Sequence, residues 1–226
     1  KENILDTSMC ESILEDMERA IKPVVRTRSF ADDRVMKGAI PVQVFDHDIY
    51  TIVLAANAKD IPKALARVPE RKRPAMNKAI FDAYAKWYPG WTFALCCFNT
   101  SQESDALPML WWYEPANQKQ LFLPALDAHD GNPPDLKERV EVNHSVMVST
   151  NKWNKSYVSK TKSATKPKKV FYSVTPMADN IKNLVPEYVM GGVYKRLMPN
   201  GDFVVNISDV EKSKLDIIRR LPPGAV

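Results

Sequence analysis

Met9, Ile13, Met17 and Ile21 stand four residues apart, the spacing of a stripe on one helix face. Ser8 followed by Glu11 has the capping-box form. Pro23 closes the segment, so the pattern predicts a helix over 8–22. Residues 26–38 are polar and predict a loop. Asp60 is placed to cap a short helix, with Pro62 tolerated in its first turn. Met76, Ile80, Tyr84 and Trp87 mark a further helix over 74–88, opened by Pro74 and stopped by Pro89-Gly90.

Runs rich in β-branched and aromatic residues predict strands at 40–45, 49–54, 91–98, 107–113, 120–126, 140–149 and 169–174. Asp46-His47-Asp48 between the first two reads as a tight acidic hairpin tip. The runs 91–98 and 107–113 are apolar on both faces, which places them at the centre of a sheet covered by helices. Residues 178–188 predict a short helix. Segments 192–198 and 202–207 flank Pro199-Asn200-Gly201, and Asn-Gly is the strongest short hairpin signal. A second capping box, Ser208 to Glu211, opens a last helix to about residue 220.

Helices and strands do not alternate regularly, which disfavours a doubly wound parallel sheet. The expected fold is α+β: a mainly antiparallel central sheet with helices packed on it, a closing β-hairpin and a C-terminal helix. At 226 residues and 45% hydrophobic content, a single domain over 1–226 is expected, with the basic loop 150–169 as an excursion. Such a chain can bury about 70% of its unfolded surface and needs neither disulfides nor metals to fold.

No apolar run reaches the roughly 18–20 residues of a membrane span, so no membrane partner is expected. No secretory signal is visible. The sequence opens at Lys1 rather than methionine, which is compatible with a processed or trimmed upstream segment. Cys10, Cys96 and Cys97 make an odd count without a framework spacing. Adjacent strand residues face opposite ways, so Cys96 and Cys97 do not pair, and a reduced, cytoplasmic protein is expected.

Charge changes this picture locally. Residues 142–178 contain no acid but seven lysines, Lys152, Lys155, Lys160, Lys162, Lys166, Lys168 and Lys169. Seven exceeds the net charge of +5 for the whole chain, so the remainder is net negative. Trp153 and Tyr157 lie among these lysines. Lysine attracts phosphates and aromatic faces stack on unpaired bases, so the segment is a candidate polyanion-binding surface. Lys63, Arg67, Arg71, Lys72, Arg73 and Lys78 form a second basic cluster, opposed only by Glu70.

A metal site is the other candidate chemistry. Asp127 and His129 share a face if their backbone is extended, and His144 is expected on the adjacent antiparallel strand. Imidazole and carboxylate suit a divalent metal ion such as zinc, iron or manganese, which with an open position supports hydrolysis. Asp130 is placed to orient His129, and His47 is a weaker acid/base candidate. The competing reading makes Asp127-Ala128-His129-Asp130-Gly131 a polar turn and His144 a sheet histidine. There is no Gly-x-Ser-x-Gly elbow, P-loop or dinucleotide fingerprint. Trp111-Trp112-Tyr113 is the densest aromatic cluster. Core packing on both faces is the leading expectation for it, and an interface anchor the alternative.

The leading expectation is a non-enzymatic binding module that contacts nucleic acid or an acidic protein through the lysine-rich loop. The alternatives are a metal-dependent hydrolase built on the Asp/His cluster, and a structural subunit of a larger assembly, including a homo-oligomer.

Overall fold

The computed structural model describes residues 3–22, 42–99, 107–115, 117–128, 130–161, 166–174, 179–214 and 219–223. In chain order the elements are β1 (Ile4–Leu5), α1 (Ile13–Ile21), β2 (Val42–His47), β3 (Tyr50–Ala55), α2 (Ile61–Ala64), α3 (Lys78–Trp87), β4 (Phe93–Cys97) and β5 (Leu110–Trp111). Then follow β6 (Gln120–Leu123), β7 (Arg139–Val148), α4 (Lys155–Lys160), β8 (Lys168–Lys169), α5 (Asp179–Lys182), β9 (Tyr188–Pro199), β10 (Asp202–Asn206), α6 (Ile207–Glu211) and β11 (Arg219–Leu221). The fold is α+β, and every strand pairing among the described residues is antiparallel. The strands are shared among small sheets rather than gathered in one. No described helix is long and apolar enough to cross a membrane.

The chain divides into two compact units. The first comprises Lys1–Ser8, Ala31–Tyr113 and Ala128–Asp135. Its main sheet has the order β2-β3-β4. The central strand β3 is buried along most of its length, because its run Tyr-Thr-Ile-Val-Leu-Ala offers an apolar group to both faces. Val53, Ala55, Ile61, Ala64, Leu65, Val68 and Cys97 form the core that α2 and the following turn close. Asn77 caps α3, its Oδ1 accepting from Ala79 N–H at 3.0 Å. The helix therefore begins at Lys78 and not at Pro74.

Three further expectations for this unit are corrected. Residues 91–98 form β4, an outer and not a central strand among the described residues, because β3 alone is paired on both sides. Residues 107–113 do not form a central strand: β5 is two residues long and among the described residues pairs with β1 alone. With no further strand beside it among the described residues, Trp111, Trp112 and Tyr113 stay exposed rather than entering a core. The hairpin turn falls at Asp48-Ile49, where Asp48 takes a left-handed φ of 50° that aspartate tolerates better than most residues. His47 consequently belongs to the strand, opposite Tyr50, and is buried rather than exposed at a tip.

The second unit comprises Met9–Phe30, Glu114–Asp127 and Leu136–Val226. It holds two three-stranded sheets, β7-β9-β8 and β11-β10-β6, which share one core of Val142, Val146, Trp153, Met190, Phe203 and Val205 with their neighbours. Helix α1 starts at Ile13 rather than Ser8, after a 3-10 turn over Ser8–Cys10. Ser12 Oγ, not the expected capping box, bonds Asp16 in its first turn.

The Asn-Gly pair does not make a hairpin. β9 pairs with β7 and β8, whereas β10 pairs with β6 and β11, so Asn200-Gly201 hands the chain from one sheet to the other. A type I′ turn needs positive φ at both central residues, and neither Asn200 nor Gly201 has it. The Asn200 side chain instead clasps a distant backbone: Oδ1 accepts from Asp127 N–H at 2.9 Å and Nδ2 donates to Asp127 C=O at 2.8 Å. Gly201 is needed for close approach, since a Cβ there would collide with the Leu221 carbonyl of β11. Gly201→Ala is expected to cost about 1–3 kcal/mol by overpacking, read as a lower urea midpoint. An unchanged midpoint would show that β11 yields freely.

The closing helix is also shorter than expected. α6 ends at Glu211, Ser213 turns the chain with φ 56°, and Arg219–Leu221 is a strand. Arg220 is drawn inward. Its Nε donates to Gly201 C=O at 2.7 Å, a second guanidinium nitrogen bonds the Ala125 carbonyl, and the guanidinium lies 5.5 Å from the Phe203 ring.

Candidate polyanion-binding segment

Residues 150–161 follow β7, residues 166–171 carry β8 of the same sheet, and buried side chains hold the first of these stretches in place. Trp153 is only 4% exposed and belongs to the core cluster. Asn154 caps α4, Oδ1 accepting from Tyr157 N–H at 3.0 Å. Tyr157 packs on the same core and donates its hydroxyl to Glu211 C=O at 2.7 Å. The two aromatic residues expected to stack on bases are therefore anchors. Trp153 is removed from that role because its faces are already in contact with the core.

The lysines point the other way. Lys152, Lys155, Lys160, Lys166, Lys168 and Lys169 are all exposed, while Lys162 lies outside the described residues. Lys152 pairs with Glu211 at 2.6 Å and Lys169 with Glu187 at 3.3 Å. Lys155, Lys160, Lys166 and Lys168 make no ion pair with a described residue. β8 is the outer strand of its sheet, with Lys168 opposite Val189 and Lys169 opposite Tyr188.

Beyond β8 lies Phe171, 76% exposed and the most exposed large apolar side chain among the described residues. Lys169 Nζ sits 5.8 Å from its ring centroid. Sequence reasoning singled out the other aromatics and passed over this one. Alternation carried the signal: in the expected strand 169–174, Lys169, Phe171 and Ser173 share one face and Val170 and Tyr172 the other.

The second basic cluster belongs to the first unit. Arg67 Nη1 donates to Val42 C=O at 3.2 Å, and Arg73 Nη2 to Val68 C=O at 2.9 Å. Both guanidiniums thus tie down backbone carbonyls. Arg71 and Lys63 are exposed, and Lys72 half-buried.

The metal candidates are distributed differently from expectation. β6 ends at Leu123, so Asp127 is not on an extended strand, and β7 pairs with β9 rather than with that segment. Asp127 and Asp202 supply negative charge beside Arg220, opposing the downward push that burial gives its pKa. Asp130 uses both carboxylate oxygens in a turn, accepting from Asn132 N–H at 2.9 Å and Asn132 Nδ2 at 2.8 Å. His144 is half-buried opposite Tyr194, its ring tilted on Phe203 at 6.1 Å. Asn200, which clasps Asp127 just past the end of β9, is six residues from Tyr194 on that strand, about 20 Å at roughly 3.3 Å per residue, so Asp127 and His144 do not converge. His129 lies outside the described residues. His47 Nε2 is 3.4 Å from Asp48 Oδ2 in the first unit. Among the described residues no group of three His, Cys, Asp or Glu side chains is arranged to hold a metal ion.

The cysteines form no disulfide. Burial pushes the Cys96 thiol up to about 11 and raises that of Cys97, the opposite of what a nucleophile needs. No family model, curated protein or solved structure matches the chain.

Proposed function

We propose that the chain is a non-enzymatic binding module whose lysine-rich segment holds a polyanionic partner. The observation that carries this reading is the division of labour within residues 152–168. Trp153 and Tyr157 are committed to the core, while Lys155, Lys160, Lys166 and Lys168 stand exposed without an ion pair to a described residue. Anchoring limits the ordering entropy lost when the lysines meet a partner. Ammonium groups on flexible stems favour contact with phosphate or sulfate oxygens over readout of a particular sequence.

Binding of a labelled oligonucleotide is therefore expected to fall steeply with salt. Four phosphate contacts give a log–log slope of about −3, roughly a 50-fold loss between about 50 and 200 mM salt. Replacing Lys155, Lys160, Lys166 and Lys168 together by glutamate is expected to abolish binding and early-elute the protein from heparin. The circular dichroism spectrum should be preserved, since all four side chains are exposed. Salt-independent retention, or a quadruple variant that binds normally, would end the proposal.

A further inference from the structure

Phe171 is out of keeping with a surface that merely solubilises the chain. Single exposed apolar residues are common, but this one is held in place from both sides. Val170 is buried and its N–H donates to Glu187 C=O at 3.0 Å. Tyr172 is half-buried and donates its hydroxyl to Pro186 C=O at 2.7 Å. The ring between them is directed to solvent, with Lys169 Nζ 5.8 Å from its centroid and exposed Lys168 one residue further back.

From this arrangement, and resting on the polyanion reading above, we propose that Phe171 is a stacking platform and that the partner is a single-stranded nucleic acid. An unpaired base offers a flat π-face to the ring, while its neighbouring phosphates come within reach of Lys168 and Lys169. Duplex buries its base faces and heparin has none, so neither uses the ring. The Glu187 carboxylate, 3.3 Å from Lys169 Nζ, offsets part of the charge here. The aromatic face accordingly supplies an attraction that the lysines alone do not.

The test compares the wild type with Phe171→Leu, Phe171→Ser and Phe171→Trp. Fluorescence anisotropy reads binding to a labelled oligothymidylate and to a duplex of equal length, alongside elution from heparin. Phe171→Leu should weaken oligothymidylate binding roughly 10-fold, in line with the loss of one stacked base. Its salt slope, duplex affinity and heparin elution should stay unchanged, and Phe171→Trp should bind at least as well as the wild type. Wild-type affinity in Phe171→Leu, or an equal loss on duplex and heparin, would overturn the inference. Sedimentation with phosphatidylcholine–phosphatidylserine vesicles that Phe171→Ser loses and Phe171→Leu keeps would assign the ring to a bilayer and overturn it too. If oligothymidylate and heparin binding both ignore the quadruple lysine variant, the polyanion reading itself fails. A loss confined to the lysine variant sinks the stacking role alone.

Discussion

Phe203→Ala is expected to destabilise the second unit by about 3–5 kcal/mol, the range for an aromatic-to-alanine truncation in a packed core. The ring lies on β10 between its cross-strand partners Leu123 and Arg220 and is 1% exposed. Tyr194 approaches it at 5.2 Å, His144 at 6.1 Å and the Arg220 guanidinium at 5.5 Å. Removing it opens a cavity and leaves a buried cation without its aromatic neighbour. Urea titration should show the midpoint fall at constant slope. Phe203→Leu keeps most of the volume and should cost well under half as much. A loss below about 1 kcal/mol for alanine would mean that the surrounding side chains collapse into the gap.

Asp16→Ala should be nearly as damaging, at about 3 kcal/mol, because it removes the acceptor at a buried junction. The carboxylate is almost fully buried. It accepts from Ser173 N–H and Ser173 Oγ at 2.7 Å each and from Ser12 Oγ at 3.1 Å, and it pairs with Arg19. Without it Ser173 N–H loses its acceptor, and the link between α1 and the segment that follows β8 is lost. Arg19 keeps partial access to water, so Arg19→Ala should cost less than about 1 kcal/mol. Equal effects from the two replacements would place the energy in the ion pair rather than in the hydrogen bonds to Ser173.

Elements whose character is local were legible in the sequence. The pair β2 and β3, the long strand β7 and helix α3 all lie within a few residues of their expected places. Their periodicity and caps depend on neighbours in the chain. What depended on distant partners was not legible. Asn200-Gly201 carries a strong hairpin signal, yet Asn200 is recruited by the Asp127 backbone and Gly201 by the approach of Leu221. Residues 107–113 look like a central strand, but burial requires flanking strands, and among the described residues only β1 pairs with them.

The candidate site was legible as charge and misread as shape. The lysine run needs only composition to be seen. Whether an aromatic residue within it faces in or out depends on the local backbone: Trp153, just before α4, and Tyr157, within it, pack on the core, while Phe171, two residues past β8, faces solvent. A period-two reading applied to 169–174 sets Phe171 on the face opposite buried Val170, whereas proximity to lysine along the chain does not separate exposed from buried aromatics. His47 illustrates the same point. Moving the turn two residues on converts a tip histidine into a buried strand residue.

The two-residue passage from β9 to β10 carries a mechanical consequence. Two separate sheets can ordinarily open independently, but here their central strands are joined with no slack between the ladders. Peeling β10 from β6 and β11 pulls directly on β9, and through it on β7 and β8. The backbone amides of both ladders should therefore open together, as a single cooperative block in hydrogen exchange, with the lysine-bearing excursion tethered to it by Trp153, Tyr157 and the β8 pairing.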